Sequence, residues 1–275
     1  MTALNGRFWE GVRMVQAQSI NSGVAAAVPV VRTIGIADLR EALRRGVDDF
    51  LAIPTQLVFL CILYPIVGLV AARAAVGTDL LPLLFPLVAG MALLGPVLAV
   101  GIYELSRRRE QGLPVTWLDA FGVLRSPAIF SIALVGGMLL AVFVAWIGAA
   151  KAVYALTLGA DAPASMGSFA AAILDTPGGW HMIVVGNLVG AVFAAIVLTL
   201  TVVSVPMLLD RNVTPVVAVQ TSVRAVAANP AVMAVWGLVV AATLLLGCVP
   251  LFIGLAVAMP ILGHATWHLY RRVVA

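Results

Sequence analysis

The chain has 275 residues, of which 63% are hydrophobic and 10% charged, with a formal net charge of +4 and a mean hydropathy of +1.11. A soluble domain carries roughly a quarter charged residues, so this chain lacks the charge to cover a water-facing surface. Its apolar runs are also far longer than the ~10-residue alternating strands of a membrane barrel, which leaves an all-α membrane protein, because helices satisfy every backbone group internally in hydrocarbon.

Residues 1–35 read as a poorly ordered cytoplasmic tail. Arg7 and Arg13 precede only a weak apolar patch, Val24 to Val31, broken by Pro29, which is not the pattern of a cleaved leader. Residues 36–275 read as one transmembrane domain with six spans, at about 55–76, 80–103, 129–150, 182–209, 231–247 and 250–268. Each is near the ~20 apolar residues that cross a bilayer. The stretch from Gly159 to Trp180 reads as a longer polar connection. Pro96, Pro206 and Pro260 interrupt the even-numbered spans, either as kinks set by packing or as marks of a pathway.

A short amphipathic segment ending in proline precedes each odd-numbered span. In the first, Ile36, Leu39, Leu43, Val47 and Phe50 recur at helical spacing, with Asp38, Arg40, Glu41, Arg44, Arg45, Asp48 and Asp49 on the other faces. Asp38 reads as the N-cap and Glu41 as its capping-box partner. In the second, Thr116 caps a segment carrying Trp117, Phe121 and Leu124. In the third, Thr214 caps, Pro215 takes the first helical position, and Val219, Val223 and Val226 form the stripe. Asp38 lies as far before Pro54 as Thr214 lies before Pro230, and Pro96–Arg108 aligns on Pro260–Arg272 without a gap. The unit of interfacial helix, span, span is therefore read three times, each amphipathic helix lying in the inner interface.

Fourteen of the sixteen basic residues fall in the tail, the even-to-odd connections and the C-terminal end; only Arg73 and Lys151 lie on the other side. The positive-inside rule then places both termini in the cytoplasm. It also explains the basic balance as topology charge, so no nucleic-acid partner is expected.

The same alignment brings Glu104, Asp210, Arg211, His264 and His268 near the inner ends of three helices. His264 and His268 share one helix face. The cluster reads either as interfacial pairing that fixes helix register or as a functional polar site, with a metal ion on His264 and His268 as a further alternative. A haem would need a ligand from a second helix, and the remaining histidine, His181, lies at the outer side; no cofactor is expected. Asn187, in the stripe Gly186-x-x-x-Gly190-x-x-x-Ala194, reads as packing glue between helices or as a pathway contact. Ala141, Ala145 and Ala149 suggest a second packing face.

Several of these segments together resemble a known family. Gly95-Pro96, Tyr103-Glu104-x-Ser106-Arg107-Arg108, Pro206 to Arg211, Asn229-Pro230 and Gly263 to Arg271 resemble the bacterial membrane family called domain-of-unknown-function 2189, over roughly residues 36–275. After Asp210-Arg211 the family pattern has a further acidic residue, where this chain has Thr214-Pro215. The resemblance implies an integral inner-membrane protein and no particular activity. No phosphate loop, nucleophile elbow or His-Glu-x-x-His motif occurs, so an enzyme is not expected. The expected role is that of a non-enzymatic scaffold, assembly or accessory protein acting through its cytoplasmic face, with the bilayer, a membrane-protein partner or a second copy as partners. A small-solute transporter or channel is the alternative, and a metal- or haem-binding redox accessory protein the third reading.

Overall fold

The computed structural model describes residues 29–53, 81–159, 161, 163–250 and 253–275. The chain divides into Met1–Val30, nearly all outside the described residues, and Val31–Ala275. The expected first span, 55–76, lies outside them, as do Cys61 and Arg73.

The described elements are α1 (Ile36–Ala52), α2 (Leu81–Met91), α3 (Gly95–Leu98), α4 (Val100–Glu110), α5 (Ile129–Thr157), α6 (Met166–Asp175), α7 (Pro177–Thr201), α8 (Ser204–Asp210), α9 (Pro215–Ala228), α10 (Pro230–Cys248) and α11 (Leu255–Val273). A 3₁₀ turn, Ala92–Leu94, joins α2 to α3, and a 3₁₀ run, Trp117–Arg125, stands between α4 and α5. No strand occurs among the described residues.

Among the described residues, four helical stretches are long and apolar enough to cross a membrane: Pro82–Glu110, Ile129–Thr157, Pro177–Asp210 and Pro230–Cys248. Between 17% and 33% of the most apolar window of each is buried, so most of that surface is open to lipid. The first three exceed the ~20 residues that span hydrocarbon. At 1.5 Å per residue, the turns from Glu104 to Glu110 begin about 33 Å from Pro82, past one hydrocarbon thickness.

α11, expected as the sixth span, is not among the four. Its second half holds two histidines and two arginines and is densely enclosed: His264, Ala265, Trp267, Leu269 and Tyr270 have almost no exposed surface. Its most extensive neighbour is α1, followed by α4 and α10. Two close approaches make this possible. A Cβ on Gly46 of α1 would sit 2.7 Å from the Ala265 backbone nitrogen, and one on Gly263 would sit 3.0 Å from Ile102 of α4. A backbone without side chains lets helices approach this closely.

The proline breaks follow from the hydrogen bond that each proline lacks. The position four residues before Pro96 is Ala92, where the 3₁₀ turn begins. Four before Pro206 is Val202, where α7 gives way to α8; there the Val203 N–H donates to Ser222 Oγ of α9 at 3.2 Å. Pro260 differs from the expectation of a matching interruption. It lies in the second turn of α11, which runs unbroken through it.

The stretch from Gly159 to Trp180 is also more ordered than the polar reading implied. It contains α6, capped by Ser165, and the fourth span starts at Pro177 behind the cap Thr176, whose Oγ1 accepts from Gly179 N at 3.0 Å. A Cβ on Gly179 would meet the Ile173 carbonyl oxygen at 2.1 Å, so the glycine pair lets the two helices meet at a tight corner. Ala141 and Ala145 point outward; α5 packs through Ile132, Val135, Leu139 and Trp146 instead. Leu93, Leu139, Trp146 and Val197 form a small core between α2, α5 and α7, apart from the main core at the polar end.

Candidate functional site

At the polar end, α1, α4 and α11 converge on one buried carboxylate, Asp49, which is 5% exposed. α1 buries Leu39, Ala42, Gly46 and Asp49, residues spaced at three and four along one helical face. The small residues in the middle of this stripe allow close docking on α11, and Asp49 is carried in with them. Its Oδ2 accepts from Ser106 Oγ of α4 at 2.7 Å and lies 2.8 Å from His268 Nε2 of α11. Arg109 of α4 donates to Oδ1. Ser106 Oγ also lies 2.7 Å from His264 Nδ1.

One proton assignment satisfies this chain: His264 Nδ1–H donates to Ser106 Oγ, whose hydroxyl donates to Asp49, while His268 donates through Nε2. His264 Nε2 then remains buried without a partner among the described residues. Burial pushes the Asp49 carboxyl up, but the hydrogen bonds from His268 and Ser106 outweigh it and hold the group below its ordinary value. The arrangement is a hydrogen-bonded joint between three helices. Among the described residues no three of His, Cys, Asp and Glu converge in a manner that could hold a metal ion.

The five residues expected to cluster are thus divided. His264 and His268 enter the Asp49 joint. Glu104 pairs with Arg107 at 2.7 Å and Arg108 at 3.0 Å on its own helix, and Arg108 continues to Asp119 at the start of the 3₁₀ run. Asp210 accepts from the Tyr270 hydroxyl at 2.6 Å and from Arg271 at 3.2 Å. Arg271 also holds Glu110, which in turn accepts from Trp267 Nε1. Arg211 lies 3.8 Å from Asp210 and donates to the Ala275 carbonyl. The sequence reading missed Asp49, Ser106 and Arg109 as partners of the histidines. The available signal was that Asp49 falls on the Leu39–Ala42–Gly46 stripe rather than on the charged face.

Other expected residues stand apart. Asn187 is exposed and its Nδ2 folds back onto the Ile183 carbonyl of its own helix at 2.7 Å, so it makes no hydrogen bond to another helix among the described residues. Gly186 faces open space, whereas Gly190 packs on Trp146. His181 is exposed near the start of α7. Asp38 is not the N-cap of α1: the helix starts one turn earlier behind Gly35, and Asp38, in its first turn, accepts from Gly35 N at 2.9 Å. Glu41 serves Arg44 and Arg45 instead, and their hydrogen bonds hold it well below the usual carboxylate range. The equal spacing of Asp38–Pro54 and Thr214–Pro230 therefore does not join equivalent caps.

Asn229 has a structural part that its sequence context did not reveal. Buried ahead of α10, it accepts from Ile34 N at 2.8 Å and donates to the Arg32 and Ala225 carbonyls. It fixes the segment entering α1, which also pairs Val31 with Val274 beside the end of α11.

Residues 84–210 match the family model described as "Predicted integral membrane protein (DUF2189)". No curated protein and no solved structure matches the chain. The matched segment runs from α2 to the end of α8 and includes Glu104, Ser106, Arg109 and Asp210; Asp49, His264 and His268 lie outside it. Over residues 84–210, then, the chain is similar to the DUF2189 family of predicted integral membrane proteins.

Proposed function

We propose that this is a non-enzymatic accessory protein of a bacterial inner membrane, which presents an ordered polar platform on the cytoplasmic side to a membrane-protein partner. The observation that carries the reading is the segregation of chemistry. Every ion pair among the described residues joins side chains of 38–119 or 210–272 at one end of the molecule, and the four spans elsewhere hold only Lys151 as a charged side chain. A transport site is ordinarily marked by ionisable groups at membrane depth. In this reading both termini are cytoplasmic, the chain has six spans and the segment–span–span unit recurs.

The alternative, a small-solute transporter or channel, rests on the breaks at Pro96, in α3 next to α4, and at Pro206, within α8, because α4 and α8 touch. Purification of the tagged protein from native membranes in mild detergent decides the matter. A stoichiometric second protein, lost when the Asp49 joint is removed by Asp49→Asn, is expected. A chain that purifies only as a monomer or homo-oligomer overturns the accessory reading.

A further inference from the structure

Three interfacial segments flank the polar end, and each divides its surface in the same way. On α1 the docked face is Leu39, Ala42, Gly46 and Asp49. The water-facing side carries Glu41, Arg44, Arg45 and Asp48, which pair with one another. A third face holds Ile36, Val47 and Leu51, all exposed. Arg40 falls between them at 100° per residue, is itself exposed, and has no carboxylate partner among the described residues.

The 3₁₀ run repeats the division in threes, because side chains at i and i+3 eclipse. Ala120 and Val123 dock, Ala120 against Gly101 of α4. Leu118, Phe121 and Leu124 form one exposed column, 58%, 49% and 68% open. In the remaining column Asp119 binds Arg108, while Arg125 is exposed and has no carboxylate partner among the described residues. On α9, Ala218, Thr221, Ser222 and Ala225 dock. Val216 and Val223 are exposed, with Arg224 at their edge; among the described residues it reaches only Gln220 O and Thr221 Oγ1.

We infer that these three faces form a collar that binds anionic lipid headgroups of the adjoining leaflet, with Arg40, Arg125 and Arg224 each meeting a phosphate while the neighbouring apolar side chains enter the acyl boundary. The charge complementarity is specific. The other arginines of these segments, Arg44 and Arg45, have protein carboxylates, whereas the three beside exposed apolar residues do not. An apolar face bordered by a cation is the surface that an anionic interface binds, and each such arginine contributes about fivefold in affinity near a charged leaflet. This inference goes beyond the accessory role and needs no protein partner.

The test uses the full chain in nanodiscs of phosphatidylcholine alone and of phosphatidylcholine with phosphatidylglycerol, followed by native mass spectrometry after release into detergent. The wild type is expected to retain phosphatidylglycerol in preference to phosphatidylcholine. R40Q/R125Q/R224Q is expected to lose that preference by on the order of a hundredfold, and to melt at the wild-type temperature in phosphatidylcholine discs. R44Q/R45Q, on the water-facing side, should retain it. Equal retention by the triple variant and the wild type, no preference in the wild type, or a triple variant that loses a protein partner while keeping its lipid overturns the inference. If the triple variant does not fold, R40K/R125K/R224K, which keeps the charge, is expected to keep the preference, and its loss there overturns the inference too.

Discussion

At the scale of single residues, the molecule depends on a carboxylate that joins three helices. Asp49 accepts from Ser106 and Arg109 and meets His268, so its removal leaves several buried donors unpaired. Breaking a buried charged network in this way costs about 3–5 kcal/mol, less where a partner such as Arg109 retains solvent. Asp49→Asn should therefore lower thermal stability in detergent by the equivalent of about 2–4 kcal/mol, read as a drop in Tm. Ser106→Ala, which removes the donor to Asp49 and leaves the buried His264 Nδ1–H without its acceptor, should cost about 1–3 kcal/mol. The pH dependence has a definite sign. The folded carboxyl lies below its ordinary value, so the unfolded chain binds the proton more readily. Asp49 thus stabilises fully above about pH 4, the unfolded value, and its contribution is lost as pH falls from there through the folded value. Melting curves between pH 3 and 7 should show this acid limb in the wild type, and it should be reduced in Asp49→Asn. An identical limb in the variant would assign the acid sensitivity to other titratable groups, the buried histidine of the joint included.

At the scale of elements, small residues decide which helix faces meet. α1 and α9 both present obvious branched apolar stripes, yet they dock through Leu39–Ala42–Gly46–Asp49 and Ala218–Thr221–Ser222–Ala225. In lipid there is no hydrophobic gain from hiding a valine from hydrocarbon, so close backbone approach and satisfied polar groups determine the contact. The sequence reading located the amphipathic segments and laid their apolar stripes in the membrane interface, but it named no face on which they dock. Ala141 and Ala145 of α5, read as a small-residue packing face, are exposed instead. Spans were legible because length and hydropathy are local properties. His264 and His268 were legible as a pair because they share a helix face, but their partner Asp49 lies 219 positions away from His268 and only the fold brings it near. A substitution at the α1–α11 crossing isolates this effect. Gly46→Val places branched carbons where even a Cβ lies 2.7 Å from Ala265 N, and overpacking of this kind costs about 1–3 kcal/mol. Hydrogen exchange should show α1 amides opening sooner in Gly46→Val, while those of α5 and α7 keep their protection. Unchanged α1 exchange would mean that the crossing is not tight in solution.

At the scale of the whole molecule, hydropathy and charge point to a single orientation. Three of the four described spanning stretches outrun the hydrocarbon thickness, and two, Pro82–Glu110 and Pro177–Asp210, end in charged residues. The arginines at Arg107–Arg109 and Arg271–Arg272 share that end, linked through Glu110, Asp210, Asp38 and Asp49. The opposite ends of α5 and α7 carry Lys151 alone among basic residues of the described chain. Moving five arginines across a membrane against its potential is strongly disfavoured, so the arginine end should face the cytoplasm. Gln111, exposed just beyond α4, and Asp161, exposed in the connection between α5 and α6, should therefore lie on opposite sides. In a background where Cys61 and Cys248 are replaced by serine, a cysteine at Gln111 should react with a membrane-impermeant maleimide in inverted vesicles and not in intact spheroplasts. A cysteine at Asp161 should do the reverse. Labelling of both from one side would mean that the α5 stretch does not cross the bilayer; the exchanged pattern would place the Asp49 joint and its arginines outside the cytoplasm, and the accessory role proposed for that face would fall with the orientation.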